Sequence, residues 1–163
     1  MTQEERNIKK DRMRYTKDKF SSNLVMAAIV LDALYFVSIY KTDVGTYYYT
    51  WVIGASIIYN LLFMLTAFLA SEGIKSRKGG YTPMLTFIGL MQFVRIFYLP
   101  ARAREAVVVI QEVEHVVMSA NQHLFTVVCL AISGICCIAG GISSYINSKT
   151  LASYIRSLEN GTV

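Results

Sequence analysis

Four long apolar runs, each close to the length that crosses a lipid bilayer as a helix, constrain this chain more than any other feature. Residues 22–40, 47–70, 83–99 and 123–146 carry few charges, and polar stretches separate them. A helix rises about 1.5 Å per residue, so a hydrocarbon core about 30 Å thick needs roughly 20 residues. Main-chain amides find no water in lipid, so a spanning segment must satisfy them within itself, which a helix does. The pattern predicts an all-α polytopic membrane protein with four transmembrane helices in an antiparallel bundle. Composition agrees: 54% of the 163 residues are hydrophobic and 17% charged, an imbalance foreign to a soluble domain of this size.

The runs differ in character. The second opens with Tyr47, Tyr48, Tyr49 and Trp51, types that favour the boundary between head groups and tails, and with Tyr40 they mark the outer interface. The third is the shortest and holds Gln92 and Arg95 ahead of Pro100; Pro83 suits its first turn, and we read it as spanning. Residues 41–46 form a short connection containing Gly45, which returns the second helix beside the first. The middle loop, 71–82, is basic and contains Gly79 and Gly80. Between 101 and 122 the pattern changes. Val107, Val108, Ile110, Val113, Val117 and Met118 are interrupted by Arg104, Glu105, Gln111, Glu112, Glu114 and His115, which reads as an extra amphipathic extracytoplasmic helix.

Charge placement orients these segments. Lys and Arg number seven in residues 1–21, three in the middle loop (Lys75, Arg77, Lys78) and two in the tail (Lys149, Arg156). The other two connections hold Lys41, Arg102 and Arg104. The positive-inside rule therefore predicts a multi-pass protein of the cell membrane with a cytoplasmic basic arm (1–21), a transmembrane domain (22–146) and a cytoplasmic tail (147–163). The first run follows a long polar stretch and has no small-residue cleavage site behind it, so it is expected to stay as an anchor. A net charge of +5 then points to anionic lipid head groups as partner rather than to nucleic acid.

Asp32, near the middle of the first run, needs compensation in lipid, where a central charged residue costs about 2.5–3.5 kcal/mol on insertion scales. Arg95 lies at a depth within about 3 Å of it. Tyr35, Tyr59, Asn60 and Gln92 fall at neighbouring depths, so an intramembrane polar cluster of Asp32, Tyr35, Tyr59, Asn60, Gln92 and Arg95 is expected. A structural ion pair is the favoured reading over a substrate or proton pathway. In the fourth run Ser133, Cys137 and Gly141 fall four apart, as do Cys136, Gly140 and Ser144. These two strips form a small-residue helix-packing face that admits another backbone, from this chain or a second subunit.

Chemistry finds less support. Cys129, Cys136 and Cys137 all lie in the last run without a Cys-x-x-Cys pair, and read as reduced small hydrophobes. Glu112, Glu114, His115 and His123 have loose metal-ligand spacing, but on a continuous helix His123 stands roughly 12 Å from His115, and a solvated face is the better reading. No nucleophile elbow, Walker loop, dinucleotide fingerprint or zincin motif occurs. No cofactor, metal or enzymatic activity is expected. The expected function is an accessory or scaffolding subunit of a larger membrane complex such as a transporter, contacting other membrane subunits or itself. The alternative is a homo-oligomeric transporter or channel with Asp32 in a shared pathway.

Overall fold

The computed structural model describes residues 3–40, 50–78, 80–105, 107–110 and 113–160; for 3, 50–53, 102, 107–110 and 113–116 it describes the backbone alone. The elements are α1 (Gln3–Tyr15), α2 (Lys19–Tyr40), α3 (Thr50–Lys75), α4 (Tyr81–Glu105), β1 (Val107–Ile110), β2 (Val113–Val116) and α5 (Ala120–Glu159). Among the described residues four helices are long and apolar enough to cross a membrane: α2, α3 from Gly54, α4 and α5. Residues 41–46, the aromatic run 47–49, Gly79, Gln111 and Glu112 lie outside the described residues.

Local chemistry fixes the helix ends. Asp18 caps α2: its Oδ1 accepts from the Ser21 amide at 3.2 Å and its carbonyl from the Ser22 amide at 3.4 Å. Ser119 caps α5, its hydroxyl accepting from the Gln122 amide at 3.3 Å. At the end of α3 the Arg77 amide donates to the Ile74 carbonyl (2.8 Å) and the Lys78 amide to the Gly73 carbonyl (3.1 Å). This double closure requires a left-handed residue, and Arg77 supplies it at φ 56°. A non-glycine residue there costs about 1–2 kcal/mol of backbone energy. Arg77 is also bonded outward, its Nε donating to the Thr16 carbonyl (3.2 Å) and its carbonyl accepting from Ser148 Oγ (3.3 Å).

Two expectations need correction. The third span does not stop before Pro100; α4 runs through this buried proline to Glu105. Proline removes one amide donor, a loss that membrane helices tolerate where neighbours re-satisfy the freed carbonyl. Nor is 101–122 one amphipathic helix. α4 ends at Glu105, and β1 and β2 pair antiparallel with Val107 opposite Val116, Val108 opposite His115, Val109 opposite Glu114 and Ile110 opposite Val113. Val107, Val108, Val109, Ile110, Val113 and Val116 are β-branched, which disfavours helix and suits a pleated ribbon. The apolar-and-charged mixture imitates a helical stripe, and the branching decides against it.

Polarity is distributed opposite to that of a protein in water. Asp32, Asn60, Gln92, Arg95, Thr126 and Ser133 are buried, whereas Val37, Ile58, Leu61, Phe87, Phe97 and Ile135 are each more than half exposed. Exposed apolar residues run along all four long helices, the surface expected of helices solvated by lipid. Helix directions follow from side-chain pairings. Ser21 bonds Ser143, Ser133 bonds the Ala28 carbonyl and Gln122 bonds the Ser38 carbonyl, so numbers fall on α5 as they rise on α2. Ser22 and Ser71 are 2.8 Å apart, joining the start of α2 to the end of α3.

The buried apolar residues form two layers. One holds Val25, Ala28, Phe63, Ala67, Ala70, Ile74, Leu85, Ile88 and Cys137; the other holds Tyr35, Ile39, Leu99, Ala103, Val117, Met118, Cys129 and Leu130. Helix α3 contributes to the first layer and, among the described residues, not to the second. Between them lies a polar level.

Candidate functional site: an intramembrane polar cluster

That level is built on Arg95. Reaching inward from α4, its Nη1 donates to Asp32 Oδ1 of α2 at 2.7 Å and to Gln92 Oε1 at 3.1 Å, and its Nη2 donates to Asn60 Oδ1 of α3. Gln92, one turn before Arg95, turns its Nε2 to Asp32 Oδ1 at 3.0 Å and to Ser133 Oγ of α5 at 3.4 Å. Ser133 in turn donates to the Ala28 carbonyl at 3.0 Å. Four helices are thus joined at one depth through a single ion pair, with the Asp32 side chain fully buried and that of Arg95 at 9% exposure.

The guanidinium lies over two rings, with its carbon 4.6 Å from the centroid of Tyr35 and 4.8 Å from that of Tyr59. A cation over a ring face gains more when water is absent, so both tyrosines help to compensate Arg95. The second carboxylate oxygen of Asp32 and the hydroxyl of Tyr35 are buried with no hydrogen-bond partner among the described residues. All six residues expected in the cluster are therefore together. Ser133 joins them, although the sequence places it only on the small-residue face.

That face packs inside the chain. Gly140 meets Ser21 and Val25 of α2, Gly141 meets Leu85 and Thr82 of α4, and Cys137 and Ser144 are buried. Cys136 is half-buried against the first apolar layer. A closer approach involves a pair the four-residue spacing misses. A Cβ on Gly134 would stand 2.9 Å from the Gly89 carbonyl oxygen and 2.8 Å from the Phe93 ring, and one on Gly89 would stand 3.0 Å from the Gly134 carbonyl. Only glycine at both positions lets α4 and α5 come this near.

Polar contacts at the start of α2 escaped the sequence reading too. Asp18 Oδ2 accepts from Ser21 Oγ (3.0 Å) and from Asn147 Nδ2 (2.8 Å), and the Asp18 amide donates to the Lys75 carbonyl (3.0 Å). The available signal was that Ser21, Ser22 and Ser71 all border apolar runs at the same expected membrane face. Among the described residues no group of three His, Cys, Asp or Glu stands close enough to hold a metal ion; Glu112 and the side chains of Glu114 and His115 are outside them. All three cysteines are free thiols.

No protein-family model, characterised protein or solved structure matches this chain. The site is therefore interpreted from its own geometry.

Proposed function

We propose that the chain is a four-span antiparallel bundle of the cell membrane with both termini cytoplasmic, acting as a small accessory or scaffolding subunit of a larger membrane complex. The observation that carries this reading is the length of α5. Its 40 residues extend about 60 Å, twice the hydrocarbon thickness, so the helix continues well past its apolar part. Helix α1 packs on that continuation, Lys10 lying 5.9 Å from the ring centroid of the buried Tyr154. The result is a basic two-helix projection on the side to which the positive-inside asymmetry assigns the cytoplasm. Because the small-residue face is occupied within the chain, the projection is the better docking element for a partner.

A shared transport pathway built on Asp32 has less support, since its side chain is fully buried and one carboxylate oxygen is already bonded to Arg95 and Gln92 of its own chain. Protein kept at native abundance and extracted in mild detergent should run in a complex heavier than a monomer. Charge reversal at Lys149 and Arg156 should release a folded monomer. A monomer in every mild detergent would remove the basis for the proposal, and flux through reconstituted protein that Asp32→Asn abolishes without unfolding would favour the transporter instead.

A further inference from the structure

Among the described residues, the face between α3 and α4 is not closed. A cleft of about 250 Å³, open along one side, is lined by Ala55, Ser56 and Tyr59 of α3 and by Met91, Val94, Arg95 and others of α4. It occurs where α3 supplies no described residue to the adjacent apolar layer. Its walls are mostly apolar, and among the lining residues Arg95 is the charged one. A mostly apolar concavity with a few placed polar groups is the usual form of a small-molecule site.

The chemistry of the cleft narrows the ligand. Asp32 already balances the charge of Arg95, so a bound anion would add an uncompensated charge in hydrocarbon, and a bound cation would face the guanidinium. The ligand must be uncharged. The bonds from Arg95 to Asp32, Gln92 and Asn60 do not exhaust a guanidinium's N–H groups, which only donate, so a ligand that bonds this residue must present an acceptor. We propose that the α3–α4 cleft binds a small, uncharged, lipophilic carbonyl compound that enters from the lipid, its oxygen accepting a hydrogen bond from Arg95. The proposal requires the chain to lie in lipid but is independent of any partner subunit.

Benzophenone is a suitable probe: a neutral aryl ketone that inserts into nearby C–H bonds on illumination. Full-length protein in phosphatidylcholine vesicles, first shown to resist carbonate extraction, is illuminated with increasing benzophenone, and the labelled residues are mapped by mass spectrometry. Saturable labelling at Met91 and Val94 is expected, above the non-saturating background at Leu61 and Phe87. Fluorenone should compete, while fluorene, which has a methylene in place of the carbonyl, should compete about tenfold less well, as the loss of one hydrogen bond to a charged donor implies. Ala55→Phe should fill the cleft and abolish the saturable part, whereas Leu61→Phe on the outer face of α3 should leave it intact. Equal competition by fluorene, stronger labelling by the anionic 4-benzoylbenzoate, or labelling of Met91 and Val94 that never saturates would each overturn the proposal.

Discussion

The two sides of α4 are held in different ways. Against α5 it lies backbone to backbone, with Gly89 and Gly134 allowing carbonyl oxygens to approach positions where any side chain would collide. Towards α3 a cleft remains, and the two helices are tied by the bond from Arg95 to Asn60. The first seam depends on shape and tolerates no added atoms. The second combines apolar packing of Phe63, Ala67, Ala70 and Ile74 near Leu85 and Ile88 with the polar bond from Arg95, and leaves space beside that bond. In lipid, where apolar burial supplies little drive for helices to associate, close packing and polar bonds are the main means of joining them, and α4 relies on close backbone approach more towards α5 and on its Arg95 bond more beside the cleft.

The contrast can be broken most strongly at the polar tie. Arg95→Met leaves Asp32 buried without its partner and should destabilise the protein by about 3–5 kcal/mol in detergent unfolding followed by circular dichroism. Adding Asp32→Leu to Arg95→Met should restore most of that loss, because removing both charges also removes their desolvation. If the double variant were no better than the single one, the ion pair would not be what compensates these groups. On the other side of α4, Gly134→Leu should cost about 1–3 kcal/mol by forcing the helices apart. It should also raise the reactivity of the buried Cys137 thiol towards an alkyl maleimide, whereas Arg95→Met should act more on α3.

Smaller changes sharpen the same comparison. Ser71→Ala removes the hydroxyl pairing with Ser22, where α3 is tied to α2, and should cost about 0.6–1 kcal/mol in the same unfolding assay. Leu61→Ala, on the lipid-facing surface of α3, should change stability by no more than about 0.5 kcal/mol. A cost at Leu61 as large as that at Gly134 would mean that the outer face of α3 is packed against something, and the distinction between the two seams would fail.

Much of this was legible in the residues because burying a charge in lipid restricts the choices so sharply. Asp32 needs a partner at its own depth, and Arg95 is the sole Lys or Arg within the four apolar runs. Asn60 and Gln92 could be grouped with it by depth alone. What depth does not convey is rotation about the helix axis. It therefore gave no warning that Ser133 faces Gln92, or that Gly89 meets Gly134 while Gly140 turns towards α2. The hairpin escaped for another reason: period alone separates helix from strand poorly over short apolar stretches, and the β-branching of residues 107–110 held the better signal. The helical continuation of α5 past Ile146 was hidden because polar, lysine-bearing sequence is equally compatible with a frayed tail.

Arg95 and Asp32 share a depth in lipid, and the middle loop lies on the same side as both termini, only if α4 crosses the membrane. Topology reporters fused after Gly80 and after His115 test this directly. The first should report the cytoplasm and the second the opposite side; if both report the same side, α4 does not span and the Asp32–Arg95 pair is not set in lipid as described.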